Sequence, residues 1–231
     1  LAADDEEYEL AANGMLVWGK MTENFTENTL GFSNSKAILS RAYWMYRSVW
    51  TNNGDAGRVS YIRDKPGLIA YAESHDEERV MYNNLTNGNN TNAAHNVRDL
   101  QTALARTEAM AAIMLSIPGP KMIWQFGELG YDLSINYCQN GSISGTCRTD
   151  PKPIRWNYWT TPVPNWRRRL YEAYAAMANL RLQKPNAFNN NTIVDNTSDL
   201  GTNLVKKIGR AHVLNSSHLV ISYAVFCLKK K

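Results

Sequence analysis

The sequence predicts an α/β fold in which short apolar strands alternate with amphipathic helices. Apolar runs of strand length occur at residues 15–21, 67–74 and 121–128, and each precedes a longer segment with helical periodicity. Strands that are apolar along their whole length are typical of a parallel sheet covered by helices on both faces. About three strand–helix units are recognisable, too few for a complete barrel or doubly wound sheet.

The four predicted helices carry the expected start and stop signals. Acidic residues open the first, at residues 4–14, and complement its dipole. The second covers residues 35–54, with Ser35 as N-cap and Asn-Gly as the stop. Residues 95–119 and 165–185 form the third and fourth, each with one inward face. The inward positions are Leu100, Leu104, Thr107, Ala111 and Met114 in the third helix and Leu170, Tyr174 and Met177 in the fourth.

Composition places the chain among globular proteins. Of its 231 residues, 44% are hydrophobic and 20% charged, which excludes a disordered, collagenous or coiled-coil protein. Lysine and arginine number 25 against 21 acidic residues, and the net charge of +4 would suggest a nucleic-acid or anionic-membrane partner if it were spread over the surface. The longest apolar run, residues 109–117, is too short to span a bilayer.

The cysteines and histidines indicate no metal site. Cys138 and Cys147 lie in a turn-rich segment that leaves two alternatives open, a loop disulfide and a pair of free thiols. A disulfide would indicate an oxidising compartment, extracellular or periplasmic. Cys227 stands alone, and His95 precedes a helix as a surface or capping residue. Together with His75 they show no metal-ligand spacing, so no cofactor is expected in this chain.

The segment with the clearest chemical content is residues 67–84. A predicted strand ends there and is followed directly by Glu73, Ser74, His75 and Asp76. In parallel α/β folds ligands bind at the carboxyl ends of strands, so the histidine and the aspartate are candidate substrate contacts. A solvated first helical turn capped by the serine explains the same residues equally simply. A Ser-His-Asp relay is excluded, because three adjacent residues cannot form it.

Two motifs together resemble a known family. SHD at residues 74–76 and PGPKMIWQFGE at residues 118–128, one helix later, are similar to the fourth signature region and the following region of the α-amylase superfamily, glycoside hydrolase family 13. Residues 1–206 as a whole are similar to bacterial α-amylase-type members. The resemblance implies an incomplete (β/α)8 TIM barrel, its C-terminal strand–helix units, over residues 1–186. An Asn/Thr/Asp-rich stretch at residues 187–206 would then open a C-terminal all-β domain.

The resemblance also implies a reaction. Family members cleave α-1,4-glucosidic bonds of starch- or glycogen-like glucans with retention, using a nucleophilic Asp, an acid/base Glu and a second Asp that stabilises the transition state. The second Asp corresponds to Asp76, and His75 matches the histidine that hydrogen-bonds the sugar. Glu77, Glu78 and Arg79 are candidates to line the same cleft, with a helix-surface ion pair as the alternative.

The resemblance to the family assigns neither the nucleophile nor the acid/base to a residue of this chain. The family's nucleophile and acid/base regions precede residue 1, so we expect this chain alone to be inactive. Many members bind calcium, but the expected calcium ligands also precede residue 1. The expected partner is an α-glucan polysaccharide or oligosaccharide, with no nucleic acid and no membrane.

Other functions of the chain remain open at this point. An α-glucan branching enzyme is one alternative, because SHDE also occurs there, and a non-catalytic α-glucan-binding remnant is another. Exposed tryptophans would suit stacking on sugar rings, although at strand or helix spacing they are more often core residues. The candidates are Trp44, Trp50, Trp156 and Trp159.

Residues 207–231 differ from the rest of the chain. They are basic and contain no acidic residue. Back-translation of residues 208–218 and 221–231 matches a widely used DNA sequencing adapter, so we interpret residues 207–231 as a non-native tail. Taking its five lysines and arginines from the 25 leaves 20 against 21 acidic residues, a net charge of −1. The basic excess therefore belongs to the tail and supports no nucleic-acid partner.

Overall fold

The computed structural model describes residues 13–18, 22–32, 68–116, 119–188, 193–195 and 206–208. The predicted helix at residues 35–54 lies outside the described residues, as does the one at residues 4–14 apart from a turn at its end. Most of the tail, with Cys227, also lies outside them.

The described elements are mostly helical. In chain order they are β1 (Val17–Trp18), α1 (Thr22–Thr29), β2 (Leu68–Ile69), α2 (Val80–Asn87), α3 (Leu100–Ser116), α4 (Asn157–Thr160), α5 (Trp166–Gln183), β3 (Ile193–Asp195) and β4 (Lys206–Ile208). Short 3-10 turns occur at Ala93–His95, Gly127–Leu129, Gly145–Cys147 and Pro185–Ala187.

The main core lies between helices. α3 packs along α5, and α1 and α2 pack against α3. The two long helices supply most of the apolar side chains, and α1, α2 and residues 70–72 complete the cluster. Burial of this apolar surface, at roughly 25 cal/mol per Å², is the main stabilising contribution. The buried members of the cluster include Phe25, Val80, Met81, Leu104, Met110, Met114, Leu170 and Tyr174.

The third and fourth predicted helices are confirmed. α3 buries Leu104, Thr107, Ala111 and Met114 as the periodicity predicts, whereas Leu100 in its first turn is 42% exposed. α5 buries Leu170 and Tyr174, and Met177 packs partly buried against the same cluster.

α5 begins at a side-chain cap. The Oδ1 of Asn165 accepts a hydrogen bond from the Arg168 N–H at 3.0 Å, which satisfies one of the free donors of the first turn. The Nδ2 of the same residue donates to the carbonyls of Tyr158, Trp159 and Thr161. One asparagine thus joins the start of α5 to the end of α4.

The predicted α/β architecture, and with it the incomplete (β/α)8 barrel, is wrong. The first two predicted strands give only a two-residue parallel ladder, β1 with β2. The third, residues 121–128, contributes one parallel bridge, Ala70 to Lys121, before the chain turns. A barrel needs longer strands that are joined into a closed sheet. The described residues form only two separate two-stranded sheets of two or three residues per strand. The apolar runs are instead short segments beside a helical core, because the helices bury their apolar faces against each other.

Residues 187–206, where the sequence predicts the start of a C-terminal all-β domain, contain β3 and the first residue of β4. β3 and β4 form an antiparallel ladder of three residue pairs, and the described residues add no further strand to it. This ladder crosses the boundary that the sequence places between residues 206 and 207, since β4 includes Lys206, Lys207 and Ile208.

Candidate functional site

The candidate site lies where the chain leaves the buried segment 70–74. The next two side chains, His75 and Asp76, are 58% and 66% exposed. Ser74 shapes the turn, because its hydroxyl accepts from the Asp76 N–H at 3.0 Å and donates to the Glu77 carboxylate. The turn brings Nε2 of His75 to 3.4 Å from Oδ2 of Asp76. An imidazole and a carboxylate are therefore presented to solvent side by side.

A buried ion pair between Glu73 and Arg79 lies on the interior side of this turn. The Glu73 carboxylate accepts from the Val80 N–H at 2.8 Å, which caps α2, and lies 3.4 Å from Nη1 of Arg79. Burial raises the pKa of Glu73, and the adjacent Arg79 guanidinium and the Val80 N–H oppose that rise. Nη2 of Arg79 donates to the Gln125 carbonyl at 2.7 Å. The pair thus ties residues 73–80 to residues 124–127.

The segment 124–127 brings an aromatic ring to the site. The Trp124 ring lies 5.9 Å from the His75 ring, centroid to centroid. The chain then turns at Phe126, which has a left-handed backbone with φ of 55°. Gly127 follows, and a Cβ there would lie 2.4 Å from Oε1 of Glu73. Only glycine allows the two segments to approach this closely.

A disulfide-closed loop forms another side of the site. Cys138 and Cys147 are bonded, with 5.1 Å between their Cα atoms, which decides between the two alternatives left open by the sequence. Arg148 follows the second cysteine. Its Nη2 donates to the Asp76 carbonyl and lies 3.4 Å from Oδ1 of the same residue.

Glu78 anchors the base of this loop to the turn. Its Oε2 accepts from the Ser134 hydroxyl at 2.6 Å, and its Oε1 accepts from the N–H groups of Ile135 and Arg79 at 2.7 and 2.8 Å. A carboxylate with three donors is well satisfied. The loop and the turn are thus linked through one side chain.

Tyr71 lies buried beneath the exposed turn. Burial raises its pKa to about 12, and the nearby carboxylates of Glu77 and Asp76 add to the rise. The phenol therefore stays protonated at alkaline pH values at which an exposed tyrosine ionises.

The structure brings together some of the residues expected from the sequence and separates others. His75 and Asp76 are adjacent and exposed, and Glu77 is half-buried and engaged by Ser74. Arg79 is 2% exposed, so its guanidinium lies in the interior instead of lining a cleft.

Sequence reasoning gave no role to Glu73, Trp124 or Arg148. The first precedes the Ser-His-Asp motif directly, a position that in retrospect suits a cap for the following helix. The second belonged to a run interpreted as a core strand. The third is 72 residues from Asp76 along the chain, and no sequence pattern indicates a contact at that distance.

The candidate tryptophans differ in position. Trp44 and Trp50 lie outside the described residues. Trp156 is 69% exposed and packs edge-on against the Phe126 ring at 5.0 Å. Trp159 contacts Tyr171 and Arg168 on α5 instead. His95 is an exposed surface residue whose Nε2 lies 3.1 Å from Nη1 of Arg106.

The arrangement suits recognition of a neutral polyol. A carboxylate accepts hydrogen bonds from hydroxyl groups and stabilises nearby positive charge, an imidazole accepts or donates, and an indole packs on the apolar face of a sugar ring. No group of three or more His, Cys, Asp or Glu side chains able to hold a metal ion occurs in the described part.

Comparisons with known proteins leave the family of the chain open. No protein-family model matches the sequence, and no curated protein matches it either. Among the described helices, none is long and apolar enough to cross a membrane.

Proposed function

We propose that the chain is part of an α-amylase-type retaining glycoside hydrolase that acts on α-1,4-glucans, with Asp76 stabilising the transition state and His75 hydrogen-bonding the sugar. The observation that carries the proposal is the exposed His75–Asp76 pair beside the Trp124 ring. The histidine and the aspartate of the motif that resembles the family are therefore exposed, where a substrate can reach them.

The proposed roles follow from the chemistry of glycoside hydrolysis. The transition state carries positive charge on the sugar ring, and a fixed carboxylate close to that charge stabilises it more than it stabilises the neutral substrate. An imidazole that hydrogen-bonds a ring hydroxyl orients the sugar against this carboxylate. The indole of Trp124 would supply the apolar contact.

The disulfide supports a location for the proposed enzyme. Disulfides persist in oxidising compartments, and a polysaccharide too large to enter a cell is degraded outside it. An extracellular or periplasmic location therefore belongs to the proposal, supported by the Cys138–Cys147 bond.

The first test is Asp76→Asn. The resemblance assigns neither the nucleophile nor the acid/base to a residue of this chain, so turnover is measured on the product of the complete gene. Loss of the carboxylate charge should lower kcat on soluble starch by about 10²- to 10³-fold, the usual loss when one transition-state contact is removed. Starch binding, followed by co-sedimentation, should survive.

Asp99→Asn provides the matched control, because Asp99 is exposed and its carboxylate contacts Asn96 away from the site. Its kcat should equal that of the unmodified enzyme. Near-normal turnover in Asp76→Asn would refute the role of Asp76.

The same preparation separates the alternative functions. Reducing-end and iodine-staining assays run in parallel distinguish hydrolysis from branching. New reducing ends support the proposal, whereas altered iodine staining without them indicates a branching enzyme. Starch binding with neither change indicates a non-catalytic α-glucan-binding protein.

A further inference from the structure

Asp76 is held by a different partner at each carboxylate oxygen. Oδ2 lies 3.4 Å from His75 Nε2, and Oδ1 lies 3.4 Å from Arg148 Nη2. The same Nη2 donates to the Asp76 carbonyl, so one guanidinium contacts both the main chain and the side chain of this residue. Partners on opposite oxygens restrict rotation of the carboxylate more than a single partner would.

Arg148 itself is held by the closed loop. The Cys138–Cys147 bond fixes the residue before it, and the Arg148 N–H donates to the Gly145 carbonyl at 3.4 Å. Nζ of Lys152 donates to the carbonyls of Tyr137 and Cys147, at 2.9 and 2.7 Å, which joins the two arms of the loop.

An ordinary surface ion pair would not have this effect. Exposed pairs contribute little, because solvent screens them and two long side chains must be ordered. Arg148 is 46% exposed, but it follows a cross-linked residue and also binds a main-chain carbonyl. The loop therefore contributes to the ordering of Arg148 in addition to its two contacts with Asp76.

We propose that Arg148 is a positioning residue that orients Asp76 towards the substrate, and that the Cys138–Cys147 loop acts on the site by holding Arg148. This inference rests on the proposed function for the role of Asp76 in sugar binding, but the Arg148–Asp76 contact is testable without a ligand. It predicts that Arg148→Ala and opening of the disulfide change the same residues of the turn.

The ligand-free test measures amide hydrogen exchange of the 231-residue chain. In Arg148→Ala, the Asp76 N–H, which donates to Ser74 Oγ, should exchange about fivefold faster, as expected for a turn that loses one supporting hydrogen bond. The Cys138→Ser/Cys147→Ser variant should accelerate the same amide. Arg148→Lys should give an intermediate rate, because an ammonium lacks the planar fork of the guanidinium.

Arg168→Ala is the matched control, since Arg168 is also a half-exposed arginine with one carboxylate partner, Glu172 at 3.6 Å. It should leave exchange at residues 74–78 unchanged. Equal exchange rates at Asp76 in the unmodified chain and in Arg148→Ala would overturn the proposal. Thermal unfolding of each variant shows whether it is folded, and the arginine-to-lysine variant keeps the test valid if alanine is not tolerated.

The second test measures calorimetric binding of maltoheptaose to the same chain. Arg148→Ala should weaken binding about fivefold, while in an Asp76→Ala background it should cost less than about twofold, because a residue that acts through Asp76 has nothing left to orient. Equal losses in the two backgrounds would overturn the positioning role. Failure of the unmodified chain to bind maltoheptaose would count against the proposed function, and the exchange experiment would still decide the Arg148–Asp76 contact.

Discussion

Glu73 is the residue on which most contacts beneath the site converge. Its carboxylate caps α2, pairs with Arg79 and occupies the space beside Gly127. A buried carboxylate is costly unless each of its oxygens has a partner, and here both do. Any change that displaces it therefore acts on the helix start, the ion pair and the aromatic segment together.

Gly127→Ala tests this close approach. The added Cβ would lie 2.4 Å from Oε1 of Glu73, which is too short for any contact. We expect the free energy of unfolding to fall by about 1–3 kcal/mol, the usual cost of overpacking, as measured by urea denaturation.

Gly145→Ala is the control for that substitution, because no atom lies within 4 Å of the position of its Cβ. Its effect should stay within about 0.5 kcal/mol. Equal stability of the two variants would mean that Glu73 has room to move.

The site could be predicted from the sequence only where its residues are neighbours in the chain. His75 and Asp76 follow a buried segment, so their joint exposure was open to inference from the pattern. An arginine at position 79 is compatible with lining a cleft and with pairing with a buried acid. Only the position of Glu73 in the fold shows that Arg79 forms a buried pair. The Arg148 contact depends on the path of a long loop, which periodicity does not encode.

At the scale of elements, helices were predicted better than strands. α3 and α5 are long enough to repeat the helical spacing over several turns, and a cap or a proline marks their ends. The apolar runs at residues 15–21, 67–74 and 121–128 contain only seven or eight residues each. At that length periodicity does not distinguish a strand from a buried irregular segment. The conformation of such a run depends on packing against helices that are distant in the sequence.

Asn165→Ala tests the junction between α4 and α5. The variant loses the cap of the first turn and the contacts to the end of α4, so the free energy of unfolding should fall by about 1–2 kcal/mol. Asn179→Ala, an exposed position within α5, is the control and should be neutral or slightly stabilising, because alanine is the better helix former. If both variants unfold at the same urea concentration, the cap contributes nothing.

For the molecule as a whole, buried tyrosines determine the alkaline limit of stability. Burial raises the pKa of four of them, Tyr71 to about 12 and Tyr131, Tyr158 and Tyr174 in the same direction. In the unfolded chain a tyrosine titrates near pH 10, so at higher pH the unfolded state releases protons that the folded state retains. This contribution is complete below pH ~10 and for Tyr71 is lost as the pH rises through about 12.

We therefore expect the free energy of unfolding to be lower at pH 11 than at pH 8, measured by urea denaturation with absorbance at 295 nm reporting phenolate. Lys152 and Arg106, whose pKa values burial lowers, act in the opposite direction, but these two groups should not offset four tyrosines. Tyr71→Phe should reduce the difference between the two pH values. An unchanged free energy at pH 11 would show that these phenols ionise freely in the folded chain.

The link from Glu73 through Arg79 to the Gln125 carbonyl has a consequence for ligand affinity. It joins the segment that carries His75 to the segment that carries Trp124, and so limits the separation of these two main-chain segments in the absence of a ligand. A ligand that touches both rings then loses little entropy in ordering the protein, and more of its contact energy remains as affinity. The buried Glu73–Arg79 pair thereby preorganises the surface that carries His75 and Trp124, although neither residue of the pair is exposed there.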